Sequence, residues 1–479
     1  MNQPITRLFV VVMVLFAGLA AMTSWWTVVK ADELNDDSAG QNQRALLRGL
    51  KIRRGVIRAA DGTLLARSVR DASGNFERRY PEGGLFAHAV GYSFADRGQT
   101  GLEASMNATL SGEGKDDIST LVDELTGARA EGEDITTTLD PAAQRVAIAA
   151  LAGRKGSVVA LDPRTGAVKA MVSVPGFDPN EVRTQARFNA FNRDPSSLLL
   201  NLATQAGDPP GSTFKVVTAV AAIDSGKYEP TSTVNGRNGR PISGVPLNNF
   251  GQADFGDITL TEALTKSVNT VWAQVGEELG KEKMAEYMDR FGFGSDPELD
   301  YPDGQMLPSG IYRNGKRIPA TSRFVDVGRM AIGQSLLRVS PMQMALVASA
   351  VANGGELMKP RLVDRVVDRD GRTTERFEPE RQERVMRPET AEKVTEMMAS
   401  VVREGSGTAA ALAGIEVAGK TGTAEKNVQT RLNQPWFIGF APRSNPKFAV
   451  AVTIEESVGG TGGEVAAPIA KQVLQELLR

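Results

Sequence analysis

Residues 8–29 form a run of 22 without a single charge, closed by Arg7 on one side and Lys30 on the other. A helix rises about 1.5 Å per residue, so this run matches a hydrocarbon core of roughly 30 Å. It is expected to cross a membrane once, and the chain after it must fold on one side of the bilayer. Trp25 and Trp26 lie where interfacial aromatic residues sit, and the next segment is acidic at Asp32, Glu33, Asp36 and Asp37, while Arg7 marks the short N-terminus. That asymmetry places the N-terminus in the cytoplasm and the body outside. The alternative is a cleaved signal peptide, for which residues 17–21 supply small side chains; its apolar region is usually shorter, which favours a retained anchor.

At 479 residues the chain is long enough for two or three domains. A formal net charge of -2 leaves no positive excess to neutralise a phosphate backbone, so nucleic acid is not an expected partner. With no cysteine, disulfides, thiolate metal sites and cysteine nucleophiles are excluded together. The one histidine, His88, cannot build a multi-histidine zinc site, and a Ser-His-Asp triad would have to recruit it specifically. His88 lies in an apolar run, Leu85-Phe86-Ala87-His88-Ala89-Val90, where a packed structural role is favoured over a catalytic one. No metal or cofactor is expected, and acyl-transfer chemistry would need a base other than imidazole.

Residues 51–132 are rich in Arg, Gly and Asp, with brief apolar runs and a turn signal at Asp61-Gly62, and read as a small β-rich domain. Asp140-Pro141 then signals a helix start, Asp as cap and Pro in the first turn, with the helix over 142–151. A hairpin follows, residues 156–161 and 167–172 around the turn Asp162-Pro163-Arg164-Thr165-Gly166. Residues 436–441 and the alternating Phe448, Val450, Val452 and Ile454 read as strands, and the last helix, 466–478, sets Ile469, Val473 and Leu477 on one face. Between lies a mostly helical region, clearest over 260–279 and 341–352. The expected body is an α/β (α+β) domain with an antiparallel sheet between helices.

Pro209-Pro210-Gly211-Ser212-Thr213-Phe214-Lys215 is a rigid turn running into a helix, which sets Lys215 one turn beyond Ser212 on the same face. A serine hydroxyl needs a base, and a lysine serves if burial or neighbouring positive charge lowers its pKa. The pairing alone is weak, because Ser444-Asn445-Pro446-Lys447 repeats it in what reads as a surface turn. Ser267-Val268-Asn269 offers a hydroxyl and an amide from one short segment, but Ser73-Gly74-Asn75 and Ser105-Met106-Asn107 match as well. The chain's single Lys-Thr-Gly, at Lys420-Thr421-Gly422 and followed by Thr423, trails a β-prone stretch. It would present a cation, a hydroxyl and bare backbone to an extended substrate.

Order and spacing, Ser212, then Ser267 55 residues on, then Lys420 153 further, resemble the penicillin-binding protein and serine β-lactamase superfamily. Asn248-Asn249-Phe250, Ala331-Ile332-Gly333-Gln334, Ala352-Asn353-Gly354-Gly355 and Arg54-Gly55-Val56-Ile57 extend the likeness over nearly the whole chain. It is most similar to monofunctional class B transpeptidases of the penicillin-binding protein A type found in actinobacteria. A departure is Ala206-Gly207-Asp208, where many members carry an aromatic residue before the nucleophile turn.

The resemblance implies a five-stranded antiparallel sheet and three parts: a tail and span over 1–30, a dimerisation or pedestal domain over 31–140, and a transpeptidase domain over 141–479. It implies that Ser212 is acylated by a D-Ala-D-Ala stem peptide or a β-lactam, and that Lys215 takes and returns the proton. Ser267 and Asn269 would assist transfer and bind the substrate amide. Lys420 and Thr421 would engage the terminal carboxylate, Gly422 would permit close approach, and the N–H groups of Ser212 and Thr423 would form the oxyanion hole. A membrane glycan polymerase of the shape, elongation, division and sporulation family is the implied partner. A D,D-carboxypeptidase or β-lactamase of the same fold is not separated by motif, although a freely diffusing antibiotic needs neither anchor nor pedestal to be hydrolysed. A non-catalytic scaffold or β-lactam sensor is a further alternative, and a sensor would need a cytoplasmic output domain where seven residues precede the span.

Overall fold

A computed structural model describes residues 3–25, 50–112, 131–427 and 429–479 of the chain. Helix α1, Gln3–Ser24, contains a stretch, Thr6–Ser24, long and apolar enough to cross a membrane. Its Leu, Val and Phe side chains are exposed on every side, as suits a helix whose solvent is lipid. Trp26 and the acidic flank at residues 32–37 lie outside the described residues.

The pedestal begins with β1, Ile57–Arg58, β2, Leu64–Arg70, and β3, Phe76–Arg79, joined as an antiparallel meander, and β4, Asp134–Thr137, which pairs with β1 in parallel. The expected turn is present: Asp61 Oδ1 accepts the Thr63 N–H at 2.9 Å, and Gly62 has φ 89°. Glu103 is fully buried. Its carboxylate accepts Arg54 Nη2 at 3.0 Å, Arg78 Nε at 2.5 Å and the Tyr80 hydroxyl at 3.2 Å. A buried charge of this kind is tolerated because it is paired and hydrogen-bonded. His88 is buried too; its Nε2 lies 2.9 Å from the Leu198 carbonyl and its ring packs edge-on to Phe177. Burial pulls its pKa down to about 4, so the imidazole is neutral and structural, as its apolar setting implied.

Downstream, Asp140 caps α2, Pro141–Leu151, accepting the Ala142 and Ala143 N–H groups. The hairpin β5, Gly156–Leu161, and β6, Val168–Val174, follows as expected. Next come α3, Lys215–Asp224, α4, Leu260–Thr265, α5, Asn269–Arg290, and α6, Pro341–Ala352. Strands β7, Val363–Val367, and β8, Thr373–Arg376, then return to the pedestal, whose sheet order is β8-β7-β4-β1-β2-β3. Residues far down the chain thus complete a sheet begun before residue 80, a pairing that no local pattern announces.

Helix α7, Pro388–Glu404, precedes β9, Ala418–Asn427, β10, Leu432–Ala441, and β11, Phe448–Ile454, and the chain ends in α8, Ala467–Leu477. The second large sheet is antiparallel in the order β9-β10-β11-β5-β6, with the short strand Ser457–Val458 also pairing with β10. Both faces are covered. Val158, Ala160, Val172, Val450 and Val452 pack with α2 and α8, while Val159, Leu161, Met171, Ile438 and Ala451 face the core that holds α6. The period of two sends alternate residues of each strand to opposite cores, which holds the sheet rigid beneath the site.

Candidate active site

The turn that carries Ser212 is fixed from three sides. Gly211 has φ 54°, and its N–H bonds to the Gly333 carbonyl at 3.0 Å. A Cβ at Gly211 would lie 3.0 Å from the Thr423 carbonyl, so the turn presses directly on β9. The Thr213 hydroxyl closes the turn by donating to the Pro210 carbonyl at 2.7 Å. Ser212 lies half-buried in the 3₁₀ turn Gly211–Phe214, which runs straight into α3. Lys215 opens α3 with its side chain fully buried.

Residues 260–279 do not form the continuous helix that their pattern suggests. The chain breaks between α4 and α5 at Ser267, whose φ is 57°. A non-glycine residue held there costs of order 1–3 kcal/mol and is retained only where the surroundings demand it. The demand here comes from Lys215, whose Nζ donates to the Ser267 carbonyl at 2.8 Å, to Ser267 Oγ at 3.3 Å and to Asn269 Oδ1 at 2.7 Å. Asn269 is oriented in turn by donating to the Asn248 carbonyl at 3.1 Å. Buried Asn249 accepts the Thr270 N–H at 3.0 Å and pins the start of α5.

Lys420 on β9 is also fully buried and donates to Ser267 Oγ at 2.9 Å and to the Thr421 carbonyl at 2.9 Å. The period of two turns Lys420 and Gly422 toward the nucleophile helix, where a Cβ on Gly422 would lie 2.7 Å from the Pro210 carbonyl. Thr421 and Thr423 fall on the other face. Thr421 Oγ1 lies 2.5 Å from Ser406 Oγ, and Thr423 Oγ1 accepts the Gly462 N–H at 3.1 Å. Because β9 ends the sheet order, one side of its backbone is free to receive an extended chain.

Ser212, Lys215, Ser267, Asn269, Lys420 and Gly422 are thereby brought together, while Thr421 and Thr423 stand on the same strand with their side chains turned to Ser406 and Gly462. Ser267 Oγ, between two lysines, is the hub of this group. Among the described residues the Ser212 hydroxyl has no hydrogen-bond partner, since Lys215 Nζ is turned to Ser267 and Asn269. Burial, and then the charge of Lys420, holds Lys215 well below the usual amine range. Burial brings Lys420 down to about 7. The look-alike motifs fall elsewhere: Ser444 and Lys447 are exposed on a turn, and Ser73-Gly74-Asn75 joins β2 to β3.

Sequence reasoning did not single out Ser406 or Gly462. A Cβ on Gly462 would lie 2.3 Å from the Gly422 carbonyl, so this glycine lets the last segment close on β9. Their signal, glycines clustered in Gly405-Ser406-Gly407 and in Gly459-Gly460-Thr461-Gly462-Gly463, is shared with any tight turn.

Residues 156–475 match the family described as penicillin binding protein transpeptidase domain, and residues 54–135 match the penicillin binding protein A dimerisation domain. The chain is 36% identical to the peptidoglycan D,D-transpeptidase PbpA of Mycolicibacterium smegmatis, over 100% of this chain and 99% of the relative. It is 34% identical to PbpA of Mycobacterium tuberculosis over 100% and 99%. Among solved structures it is similar to penicillin-binding protein A from M. tuberculosis in its ceftriaxone acyl-enzyme complex. That match has a TM-score of 0.81 at 32% identity and covers 91% of this chain and 100% of that one. Fold, site order and these likenesses agree that the chain belongs to the penicillin-binding protein transpeptidase family.

Proposed function

We propose that this protein is a serine-type peptidoglycan D,D-transpeptidase that cross-links stem peptides through an acyl-enzyme on Ser212 and is acylated there by β-lactams. The observation that carries the reading is the convergence of two fully buried lysines, Lys215 and Lys420, on one hydroxyl, Ser267 Oγ, beside the Ser212 turn. Burial, and then the charge of Lys420, lowers the pKa of Lys215 and so favours the neutral amine that a general base must be, the role a histidine plays elsewhere.

An extended donor peptide laid along the free edge of β9 would set its terminal carboxylate at Lys420 and Thr421 and its penultimate carbonyl over Ser212. Lys215 takes the Ser212 proton as Oγ attacks that carbonyl. The developing oxyanion is held by the N–H groups of Ser212 and Thr423. The scissile C–N bond then breaks, the proton returns through Lys215 and Ser267 to the departing D-alanine amine, and an ester remains. An acceptor amine attacks the ester and restores Ser212. Asn269 binds the substrate amide, and Gly422 leaves room for the backbone.

Residues 1–30 anchor the chain with the N-terminus cytoplasmic, residues 31–140 form the pedestal, and residues 141–479 carry the chemistry outside the membrane. Span and pedestal are the surfaces through which a membrane glycan polymerase of the shape, elongation, division and sporulation family would be met. Mass spectrometry after incubation with a penicillin tests the central step: an adduct on Ser212, absent in Ser212→Ala, is expected, and no adduct would sink the assignment. A donor stem peptide offered with an acceptor amine then separates cross-linking from hydrolysis.

A further inference from the structure

Between α5 and α6 the strands Gly310–Arg313 and Lys316–Ile318 form a hairpin that turns through Asn314 and Gly315, with φ 52° and 74°. Such a two-residue loop fixes the register tightly, and it sets Arg313 directly opposite Lys316. Opposed side chains share a face about 5 Å apart, and like charges so placed destabilise the pair. The chain beyond the hairpin adds a third cation. Arg313 lies 3.6 Å and Arg323 4.8 Å from the centroid of the Phe324 ring, so the two guanidinium carbons stand no more than about 8 Å apart. Arg313, Lys316, Arg323 and Phe324 are all exposed, Phe324 by 45%.

No acidic side chain offsets this charge. Residues 310–325 hold four cations and no carboxylate, in a chain whose formal net charge is -2. Arg317, opposite Tyr312, falls on the other face of the hairpin, where it lies over Gly294 and faces Asp289 and Asp296. Among the described residues, Arg313, Lys316 and Arg323 enter no ion pair and donate no hydrogen bond. Three uncompensated cations on one face suit an anion with several acceptor oxygens. Two planar guanidinium forks and an ammonium fit a phosphate, which can accept a pair of bonds from each fork.

The place of the hairpin in the fold says what carries the phosphate. The strand order is Lys316–Ile318, Gly310–Arg313, Leu337–Arg338. The chain then continues into Val339, which pairs on its far side with Asp208, four residues before Ser212. The outer strand is thus three strand spacings, roughly 14 Å, from the segment that leads to the nucleophile. A ligand held there is a neighbour of the peptide being joined, as the glycan bearing that peptide is.

We infer that Arg313, Lys316 and Arg323 form an anion site for a phosphate ester carried on a sugar of the glycan strand, holding the polymer beside the cleft while its stem peptide reacts. The inference rests on the transpeptidase reading above for the polymer it names.

The test uses the full-length protein in nanodiscs of neutral lipid. Its ligands are a stem-peptide-bearing disaccharide with one phosphate ester on a sugar hydroxyl, and the same compound after phosphatase treatment. The wild type is expected to bind the phosphorylated form at least about tenfold more tightly, the scale of a charge-assisted hydrogen bond. Arg313→Gln combined with Arg323→Gln should abolish that preference and Lys316→Gln should weaken it. Arg317→Gln, the same loss of charge on the other face, should leave it intact. Penicillin labelling of Ser212 at the wild-type rate shows that each variant is folded. Equal binding of the two forms by the wild type, a preference that survives the double variant, or an equal loss in Arg317→Gln overturns the site. Phosphatidylglycerol added to the nanodiscs should not displace the phosphorylated fragment; displacement that the double variant abolishes overturns the glycan in favour of a membrane surface. A wild type that penicillin does not label overturns the parent reading, whereas labelling without the phosphate preference overturns this one alone.

Discussion

Gly333→Ala isolates how far catalysis depends on the exact seat of the nucleophile turn. Gly333 has φ 76°, and a Cβ there would lie 1.9 Å from the Gly211 carbonyl oxygen, against a floor of 3.0 Å for real contacts. Gly211 is backbone, so it can yield only by moving the turn that carries Ser212, by roughly 1.1 Å. Misplacing a reacting group by about 1 Å costs on the order of 10²-fold in rate. The left-handed backbone adds a penalty of about 1 kcal/mol, a loss of some 2–4 °C in a domain of this size. Gly153→Ala is the control, because its φ is 75° and nothing lies within 4 Å of the added Cβ. With a fluorescent penicillin, Gly333→Ala should label Ser212 about a hundredfold more slowly while Gly153→Ala labels at the wild-type rate, both melting slightly early. A Gly333→Ala protein that labels as fast as Gly153→Ala would refute the close packing that the argument rests on.

Ser267→Ala should lower kcat/KM by roughly 10²-fold or more with little change in melting temperature, since it removes the hydroxyl shared by the two lysines. The acylation rate should fall as pH drops through the lowered pKa of Lys215, because the base must be neutral to act, and a stopped-flow pH series would read it. Above about pH 7 Lys420 loses its charge in the free protein, so KM for carboxylate-bearing donors should rise on the alkaline side, while a donor amide should show no such rise. Glu103→Ala strands the Arg54 and Arg78 guanidinium groups in the pedestal and should cost about 3–5 kcal/mol, measured as a drop in the urea midpoint.

What was legible in the sequence followed from local rules. The Asp140 cap, the hairpin at residues 156–172, the alternation in β11 and the order of Ser212, Ser267 and Lys420 all depend on neighbours in the chain, and all appear where the pattern put them. The misses share a physical cause. The apolar pattern over 260–279 is helical throughout, and only the hydrogen-bonding demand of Lys215 explains why Ser267 leaves the helix. The pairing of β7 with β4, Val366 opposite Ile135, joins residues more than two hundred positions apart, so no window could show it. Ser406 and Gly462 touch the Lys-Thr-Gly strand for the same long-range reason.

The two lysines offer a chain with one neutral, buried histidine a route to general-base chemistry. Ser267 Oγ lies 3.3 Å from Lys215 and 2.9 Å from Lys420, so a proton on either amine is felt by the other. Burial depresses both. Lys215 is also lowered by the positive charge of Lys420 beside it, so a proton held on Lys420 disfavours one on Lys215. A substrate carboxylate arriving at Lys420 and Thr421 adds opposite charge and favours the proton on Lys420. The protonated Lys420 then disfavours a second proton on Lys215 and leaves it the free base that Ser212 requires. The group that marks the donor's terminus thereby sets the protonation state in which the nucleophile is activated. In free solution an amine of ordinary pKa is charged at neutral pH and unable to act as a base; here burial and one neighbouring cation shift it toward the neutral form that the proposed role needs.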